Sequence, residues 1–250
     1  MRFLRLTVLA LAAFVGLAFE TTAHAQLPGA MVGGDSKLVI YHVEGRRSER
    51  IVWLAEELAL PYELKFRRGD VQGSFDDIRK VNPSMPVAPT VIYQGQLLVE
   101  SAAIIQKILE TEGKGRLMPN SKSPDYGAYL MFMYWAEGSF AADVVAQIGI
   151  ERETGKKADP SKETDAQRAM RFANDFLGAH KYFGGAEFSA ADIMMLFPST
   201  YAMRSGVADA TKYPHMVEWQ KRVQDRPAFK RMVAAARTPS PSAPAAMRVQ

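Results

Sequence analysis

A segment at residues 86–101, with the sequence PVAPTVIYQGQLLVES, constrains the fold of this chain more than any other stretch. Residues 90–93 are β-branched and aromatic and residues 97–99 are apolar, and the turn dipeptide at 94–95 separates them, a pattern that predicts a β-hairpin. Pro89 directly precedes the first strand of this hairpin. A proline cannot donate a hydrogen bond within a ladder, so its position indicates where the strand starts. The segment thus predicts two paired strands with a fixed entry point.

Polar groups at both ends of the hairpin predict a binding site. Apolar residues recur with helical spacing over 104–109, so Ser101 is a candidate N-cap at a helix N-terminus that attracts a carboxylate. Glu100 beside it could hold an ammonium group. If the peptide bond between Ala88 and Pro89 is cis, the N–H and C=O of Ala88 face outward and can pair with a peptide. Together these groups suit a peptide with a free α-amino acid, although each residue alone also fits a capped helix after a hairpin.

The order of the neighbouring elements predicts a small α/β domain. Strand patterns occur at residues 37–41 and 62–66, and helix patterns at residues 48–58 and 75–81. With the hairpin and the helix after it, the order becomes β-α-β-α-β-β-α. A helical crossover between parallel strands followed by a hairpin is typical of a thioredoxin-like domain, which we place at residues 37–112.

Beyond a polar linker at residues 113–124, the sequence predicts helices only. Residues 125–150 are apolar nearly all round, as expected of a central bundle helix. Ser189 and Asp192 have the spacing of a capping box that opens another helix. We therefore predict an all-α helical domain over residues 125–237. Further helical patterns lie at residues 162–182, 213–223 and 228–235.

The ends of the chain carry separate signals. Two arginines precede an apolar run at residues 6–19, and small residues follow as at a cleavage site. This run is too short for a membrane-spanning helix of about twenty residues, so we predict a signal peptide at residues 1–25 and a periplasmic or secreted protein. The alternative is that Met31 is the true start, which would make the protein cytoplasmic. Residues 26–36 are predicted to be a linker and residues 238–250 a disordered tail.

Composition excludes several kinds of chemistry. The chain has no cysteine, so disulfides, thiolate nucleophiles of its own and zinc–thiolate sites are excluded, and any thiol must arrive with a ligand. The histidines show no metal-ligand spacing, so no metal site is predicted. The net charge of +4 comes from mixed basic and acidic residues without a basic block, so no nucleic-acid partner is predicted.

A proline followed eleven positions later by Glu100 and Ser101 at a helix start resembles the glutathione-binding segment of glutathione transferases. The resemblance extends over residues 37–237 and includes residues 48–58 and the capping box; it is of bacterial type without a clear class. It implies glutathione as co-substrate. The glutathione-binding residues that it implies are Val87, Ala88, Pro89, Glu100 and Ser101, with Arg47 as a candidate for a glutathione carboxylate.

The resemblance also implies an activity and an assembly. The expected activity is conjugation of the glutathione thiolate to an apolar electrophile, with glutathione peroxidase as a candidate side activity. The alternatives are a non-catalytic glutathione- or ligand-binding protein of the same fold and a periplasmic interaction module. The family implies a homodimer, in which the thioredoxin-like domain of one copy faces the helical domain of the other.

The residue that activates the thiol is left open by the sequence. Many family members use a Ser, Cys or Tyr after the first strand, and alignment places Arg46 where the hydroxyl usually stands. Tyr41 at the strand end, Ser48 near a helix N-terminus and the Arg46 guanidinium, with Arg47 beside it, are the candidates. We favour the loop from Arg46 to Ser48 over Tyr41.

Overall fold

The structure, a computed structural model, describes residues 38–239. The predicted signal peptide, the linker at residues 26–36, the alternative start at Met31 and the tail beyond residue 239 lie outside the described residues. Within residues 38–239, no helix combines the length and the apolar character needed to cross a membrane.

The N-terminal region is a four-stranded mixed sheet flanked by three helices. The sheet order is β2-β1-β3-β4, with β1 parallel to β2 and antiparallel to β3, and β3 antiparallel to β4. The predicted element order, the parallel crossover and the terminal hairpin are therefore confirmed. The elements are β1 (Leu38–Tyr41), α1 (Glu49–Leu58), β2 (Glu63–Lys65), α2 (Val71–Val81), β3 (Thr90–Tyr93), β4 (Gln96–Val99) and α3 (Ser101–Glu112).

Alternation along β1 divides its side chains between two cores. Leu38 and Ile40 face the main core, which includes the apolar residues of α1 and α3. Val39 and Tyr41 face a smaller core, where they pack with Ile78 of α2. Because successive strand residues point to opposite faces, one strand of four buried residues supports helices on both sides of the sheet.

The helical region begins with the long helix predicted over residues 125–150, but a π-helical segment interrupts it. The first part is α4 (Tyr126–Trp135), the π segment is Ala136–Ala141, and α5 (Ala142–Thr154) continues the helix. Four further helices complete the bundle: α6 (Asp165–Ala179), α7 (Ala190–Arg204), α8 (Pro214–Gln224) and α9 (Pro227–Ala236), with a short 3-10 turn at Ala210–Lys212 between α7 and α8.

The capping box predicted at the start of α7 is confirmed. The Ser189 N–H donates to the Asp192 carboxylate at 2.9 Å. Asp192 is fully buried and also accepts hydrogen bonds from the Phe183 N–H at 3.0 Å and the Trp219 indole at 2.8 Å. Burial raises the pKa of Asp192 to about 6, against the opposing effect of these hydrogen bonds. One carboxylate therefore fixes α7 to both α8 and the turn before α7.

The two regions share one continuous core, because α9 returns to pack on α1. The Trp53 and Phe229 rings meet edge to face, with centroids 5.0 Å apart. Arg226 makes a two-pronged ion pair with Glu57, at 2.6 and 2.8 Å. The division into domains at residues 112 and 125 stays a prediction.

Candidate functional site

The entry to the hairpin offers free backbone groups. The Ala88–Pro89 bond is cis. Within residues 38–239, neither the N–H nor the C=O of Ala88 has a hydrogen-bond partner. The backbone of Val87 is occupied, since its N–H donates to the Met85 carbonyl at 2.9 Å and its carbonyl accepts the Thr90 hydroxyl at 2.6 Å. Ala88 is therefore the position at which an extended peptide can pair with this loop.

The start of α3 differs by one residue from the sequence prediction. Glu100 occupies the N-cap position and Ser101 is the first helical residue, so the prediction that Ser101 is the N-cap is wrong. Glu100 adopts φ +69° and ψ 109°, a backbone conformation that costs energy for a residue with a Cβ and tends to occur at functional sites. Its side chain is exposed and makes no capping hydrogen bond. The carboxylate therefore remains available to a ligand, next to the unpaired N–H groups of the first turn.

Ser101 is tied to the rest of the site by a buried arginine. Arg50 of α1 is 2 % exposed, and its Nη1 lies 3.4 Å from the Ser101 hydroxyl and 2.5 Å from Glu137. Its Nη2 donates to the Met194 carbonyl at 2.6 Å. Pro198 lies four residues further along α7 and has no N–H, so this carbonyl lacks its usual intrahelical donor. Arg50 thus joins α1, α3, α7 and the π segment at one point.

Glu137, which lies in the π segment, forms ion pairs with two arginines. Its second oxygen accepts from Arg47 Nε at 2.8 Å. Burial acts to raise the pKa of Glu137, but the charges and hydrogen bonds of Arg50 and Arg47 outweigh it and lower the pKa. Burial lowers the pKa of Arg50, and Glu137 opposes that shift. Glu137 therefore stays ionised, and a glutathione carboxylate would have to compete with it for Arg47.

The Ser48 hydroxyl is used within its own loop. Ser48 is fully buried, and its Oγ lies 2.8 Å from His42 Nδ1 and accepts the Val43 N–H at 3.1 Å. His42 Nε2 lies 2.7 Å from the Ala236 carbonyl, which can only accept, so Nε2 carries the proton and Nδ1 accepts from Ser48. Ser48 thus occupies the N-cap position of α1 without making a side-chain cap, and its hydroxyl faces the interior.

Of the remaining two candidates for thiol activation, Tyr41 is also buried. It is 7 % exposed and packs in the smaller core with Val39 and Ile78. Burial raises the pKa of Tyr41, although Lys65 opposes this. The Arg46 side chain, in contrast, is exposed and has no hydrogen-bond or ion-pair partner within residues 38–239. Arg46 alone among the three presents a free polar group.

The residues after α9 hold the loop between β1 and α1 in place. Arg237 pairs with Glu49 through two contacts of 2.8 and 2.6 Å. The Thr238 hydroxyl donates to Glu44 at 2.7 Å, and the other Glu44 oxygen accepts the Gly69 N–H at 2.9 Å. The conformation of the loop that carries Arg46 is therefore fixed by a segment far away in sequence.

A cleft of about 510 Å³ opens beside this loop. Arg46, Arg47 and Arg50 line one side of it, and residues of α7 and α9 line the other. Its size is within the range of small-molecule sites. Within the described part of the chain, no group of three or more His, Asp or Glu side chains is arranged to hold a metal ion.

The fold and the cleft define a class of proteins in which a thioredoxin-like sheet, with a cis-proline before its hairpin, is joined to a helical bundle. Two family models match this chain: "Glutathione S-transferase, N-terminal domain" over residues 35–116 and "Glutathione S-transferase, C-terminal domain" over residues 131–227. The chain belongs to the glutathione S-transferase superfamily.

Known relatives agree with this assignment. Glutathione S-transferase 3 of Schizosaccharomyces pombe is 28 % identical over 209 residues, which cover 76 % of this chain and 84 % of the relative. A glutathione S-transferase structure from Actinobacillus pleuropneumoniae has a TM-score of 0.67 and 20 % identity, covering 80 % of this chain and 92 % of the other. Glutathione transferase URE2P6 from Phanerochaete chrysosporium, solved with oxidized glutathione, has a TM-score of 0.65 and 20 % identity, covering 81 % and 97 %.

Proposed function

We propose that this chain is a glutathione transferase that binds glutathione at Ala88, Glu100 and Ser101. The observation that carries the proposal is the pairing of an unpartnered peptide group at Ala88 with an exposed carboxylate at the first turn of α3. Glutathione is a peptide with a free α-amino acid, so its ammonium suits Glu100 and its carboxylate suits the N–H groups at Ser101. Its cysteinyl backbone suits Ala88 as an added strand.

The proposed reaction is conjugation of the glutathione thiolate to an apolar electrophile. The thiol loses its proton to water, the sulfur forms a bond to the electrophilic carbon, and the displaced electron pair leaves with the leaving group. A nearby positive charge lowers a thiol pKa. Arg46 is exposed at the loop, and the N–H groups of Arg47 and Ser48 have no hydrogen-bond partner in the described chain. We propose that these donors stabilise the thiolate in place of a hydroxyl.

One observation favours a second candidate, a non-catalytic glutathione-binding protein of the same fold. The Ser48 hydroxyl is hydrogen-bonded to His42, and Tyr41 is packed in the smaller core. Neither hydroxyl is therefore free at the loop. A protein that binds glutathione without activating its thiol would retain the contacts at Ala88 and Glu100. Binding and turnover must therefore be measured separately.

The binding test is isothermal titration of glutathione into the full chain and into Glu100→Ala. We expect the variant to bind about tenfold more weakly or worse, corresponding to about 1.4 kcal/mol. Glu153→Ala is the matched control, because Glu153 is also an exposed glutamate but lies on α5, away from the cleft and the hairpin. Equal affinities for all three proteins, or an absence of binding, would refute the proposed site.

The turnover test uses 1-chloro-2,4-dinitrobenzene as the electrophile and a hydroperoxide for the peroxidase side activity. Arg46→Gln should lower kcat/KM about tenfold or more and should raise the pH at which the bound thiol ionises. Arg152→Gln, which removes an exposed arginine outside the cleft, should leave both unchanged. Glutathione binding without turnover of either substrate would establish the binding protein instead.

Assembly and location complete the proposal. We propose a homodimer, which sedimentation of the full chain tests directly. Export stays a prediction from residues 1–25 and is tested by fractionating cells that express the chain from Met1 or from Met31.

A further inference from the structure

Three consecutive residues at the end of α9 and just beyond it contact three different positions between β1 and α1. The pairs are Ala236 with His42, Arg237 with Glu49, and Thr238 with Glu44. The partners in these pairs are 194, 188 and 194 positions apart in sequence. Loops are usually more mobile than the elements they connect, so this number of long-range contacts is informative. The conformation of this loop is coupled to the end of α9.

The contact made by Arg237 extends through Glu49 to the residue before Arg46. Oε1 of Glu49 accepts the Arg237 Nε at 2.8 Å and also the backbone N–H of Gly45 at 3.1 Å. Its other oxygen accepts Nη2 of Arg237 at 2.6 Å. Gly45 has φ +68°, a left-handed conformation that suits glycine. Because one oxygen serves both donors, the guanidinium orients the acceptor that holds this turn.

The turn held in this way fixes the direction of the next backbone groups. The Arg46 N–H donates to the Val43 carbonyl at 3.1 Å, and the Arg46 carbonyl accepts the Glu49 N–H at 3.1 Å. Between them stand the N–H groups of Arg47 and Ser48, which are the donors proposed for the thiolate. Stabilisation of an anion by such donors requires them to lie about 3 Å from it. A small shift of the turn would therefore move these donors out of range.

Arg237 presents little net charge of its own to a ligand. Two of its nitrogens are hydrogen-bonded to the two oxygens of Glu49, and its guanidinium carbon lies 5.9 Å from the centroid of the Phe229 ring. Opposite charges at this separation largely cancel at a more distant point. An effect of Arg237 on a bound thiol is therefore expected to act through the geometry of the loop rather than through its charge.

We propose that Arg237 is a positioning residue, which through Glu49 and the Gly45 N–H holds the loop in the conformation that presents its donors to the glutathione thiol. As a statement about thiol activation, the inference rests on the proposed function. Within the described chain, Arg237 makes no hydrogen bond to Ala88 or Glu100. Arg237 therefore affects ionisation of the bound thiol and the rate of turnover, but not the affinity for glutathione.

The test compares Arg237→Gln and Glu49→Ala in the full chain. Both variants should raise the pH at which bound glutathione ionises, followed by the ultraviolet absorbance of the thiolate, and should lower kcat about tenfold. The affinity for glutathione, measured by titration, should stay unchanged. A direct effect of charge predicts shifts of opposite sign, because Glu49→Ala removes a negative charge and would lower the thiol pKa. Opposite shifts would overturn the inference.

The matched control is Arg231→Gln. Arg231 is also an arginine of α9 that pairs with a glutamate of α1, since its Nε lies 2.7 Å from Glu56, but it lies outside the cleft. Arg231→Gln should leave kcat and thiol ionisation unchanged while having the same urea midpoint as Arg237→Gln. An equal loss of kcat in the control would show a general effect of these ion pairs and overturn the assignment. Arg237→Lys, which keeps a donor to Glu49, should restore most of kcat.

Amide hydrogen exchange without glutathione separates this inference from the proposed function. Exchange in the peptide covering residues 44–48 should be about fivefold faster or more in Arg237→Gln and Glu49→Ala, but not in Arg231→Gln. Unchanged exchange in the first two variants would overturn the inference. Faster exchange in a chain that shows no turnover would keep the control of the loop by Arg237 and refute the transferase. Turnover that depends on Arg46 but not on Arg237 would do the reverse.

Discussion

At the scale of single residues, His42 links the candidate site to the end of the described chain. Its ring lies between the Ser48 hydroxyl and the Ala236 carbonyl and is fully buried. Burial lowers the pKa of His42 below its ordinary value of 6.5, and the hydrogen bond to Ala236 opposes this only in part. The folded protein therefore holds His42 neutral under conditions in which the unfolded chain protonates it.

This difference predicts a loss of stability in acid. Above about pH 6.5 the residue is neutral in both states, and its contribution is fully present. As the pH falls below that value the unfolded chain takes up a proton first, so the free energy of unfolding decreases. We expect His42 to account for a decrease of about 1 kcal/mol between pH 7.5 and 5.5, measured by urea denaturation.

The contribution of His42 is isolated by comparison with His42→Gln, whose amide can still donate to Ala236. That variant should lose less stability over the same pH range, whereas His180→Gln, at an exposed position, should behave like the unmodified chain. Burial raises the pKa of Asp192 to about 6, and carboxyl groups of this kind contribute the same pH dependence of stability in all three proteins. Parallel pH curves for the unmodified chain and His42→Gln would contradict the prediction.

Whether a residue of the candidate site could be predicted from the sequence depends on how far away in sequence its partners lie. Ala88, Glu100 and Ser101 can be proposed from the sequence because they stand beside one hairpin, although the helix cap lies one residue earlier than predicted. The burial of Ser48 cannot be predicted from the sequence, since it depends on the hydrogen bond between His42 and the Ala236 carbonyl, which are 194 residues apart. Arg50 and Glu137 were missed as a pair because 87 residues separate them.

At the scale of elements, α7 depends on α1 for one of its hydrogen bonds. Pro198 removes the N–H that would pair with the Met194 carbonyl, and Arg50 donates to that carbonyl instead. The hydrogen bond that is missing within α7 is thus replaced by one from α1. The interaction is local to one carbonyl, so it can be tested by restoring the missing N–H.

We predict that Arg50→Met lowers the free energy of unfolding by about 2 to 3 kcal/mol, because the partly buried Glu137 keeps only Arg47 as its partner and the Met194 carbonyl loses its donor. Pro198→Ala should then recover about 1 kcal/mol in that variant, by giving the Met194 carbonyl an intrahelical donor. In the unmodified chain Pro198→Ala should raise the free energy of unfolding by less, since Arg50 already donates to the Met194 carbonyl. Urea denaturation of the four proteins gives the coupling energy.

Pro227→Ala is the matched control, because Pro227 stands at the first turn of α9, where a missing N–H leaves no carbonyl unpaired. Pro227→Ala should change the free energy of unfolding by the same amount in the unmodified chain and in the Arg50→Met variant. Strictly additive effects of Pro198→Ala and Arg50→Met would show that the carbonyl is not shared between the helices.

The elements themselves were largely predictable, and the exceptions have local causes. α2 begins at Val71 rather than at residue 75, because Asp70 accepts the Gly73 N–H at 2.8 Å and caps a turn that contains a glycine. α6 begins at Asp165 rather than at residue 162, because Thr164 and Gln167 form a capping box at its start. No sequence signal marks the π segment, which contains Glu137, the partner of Arg47 and Arg50.

At the scale of the whole molecule, the shared core predicts a single unfolding transition. The main core contains buried side chains of both regions, from Leu38 of β1 to Ala236 of α9, so neither region can lose its packing in this core without exposing the other. Hydrogen exchange at increasing urea should give peptides from the sheet and peptides from α4 to α8 the same midpoint. Exchange of the sheet at a clearly lower urea concentration than the bundle would contradict this expectation.

The position of α9 also has a consequence for synthesis on the ribosome. Glu57 of α1 and its partner Arg226 are 169 residues apart, so the helix that covers Trp53 emerges long after α1 has been made. At ordinary elongation rates this interval is on the order of 10 to 30 s. Throughout it, the side of α1 that packs against α9 lacks that cover, and a nascent polypeptide released before residue 226 would keep this side exposed to chaperones and proteases.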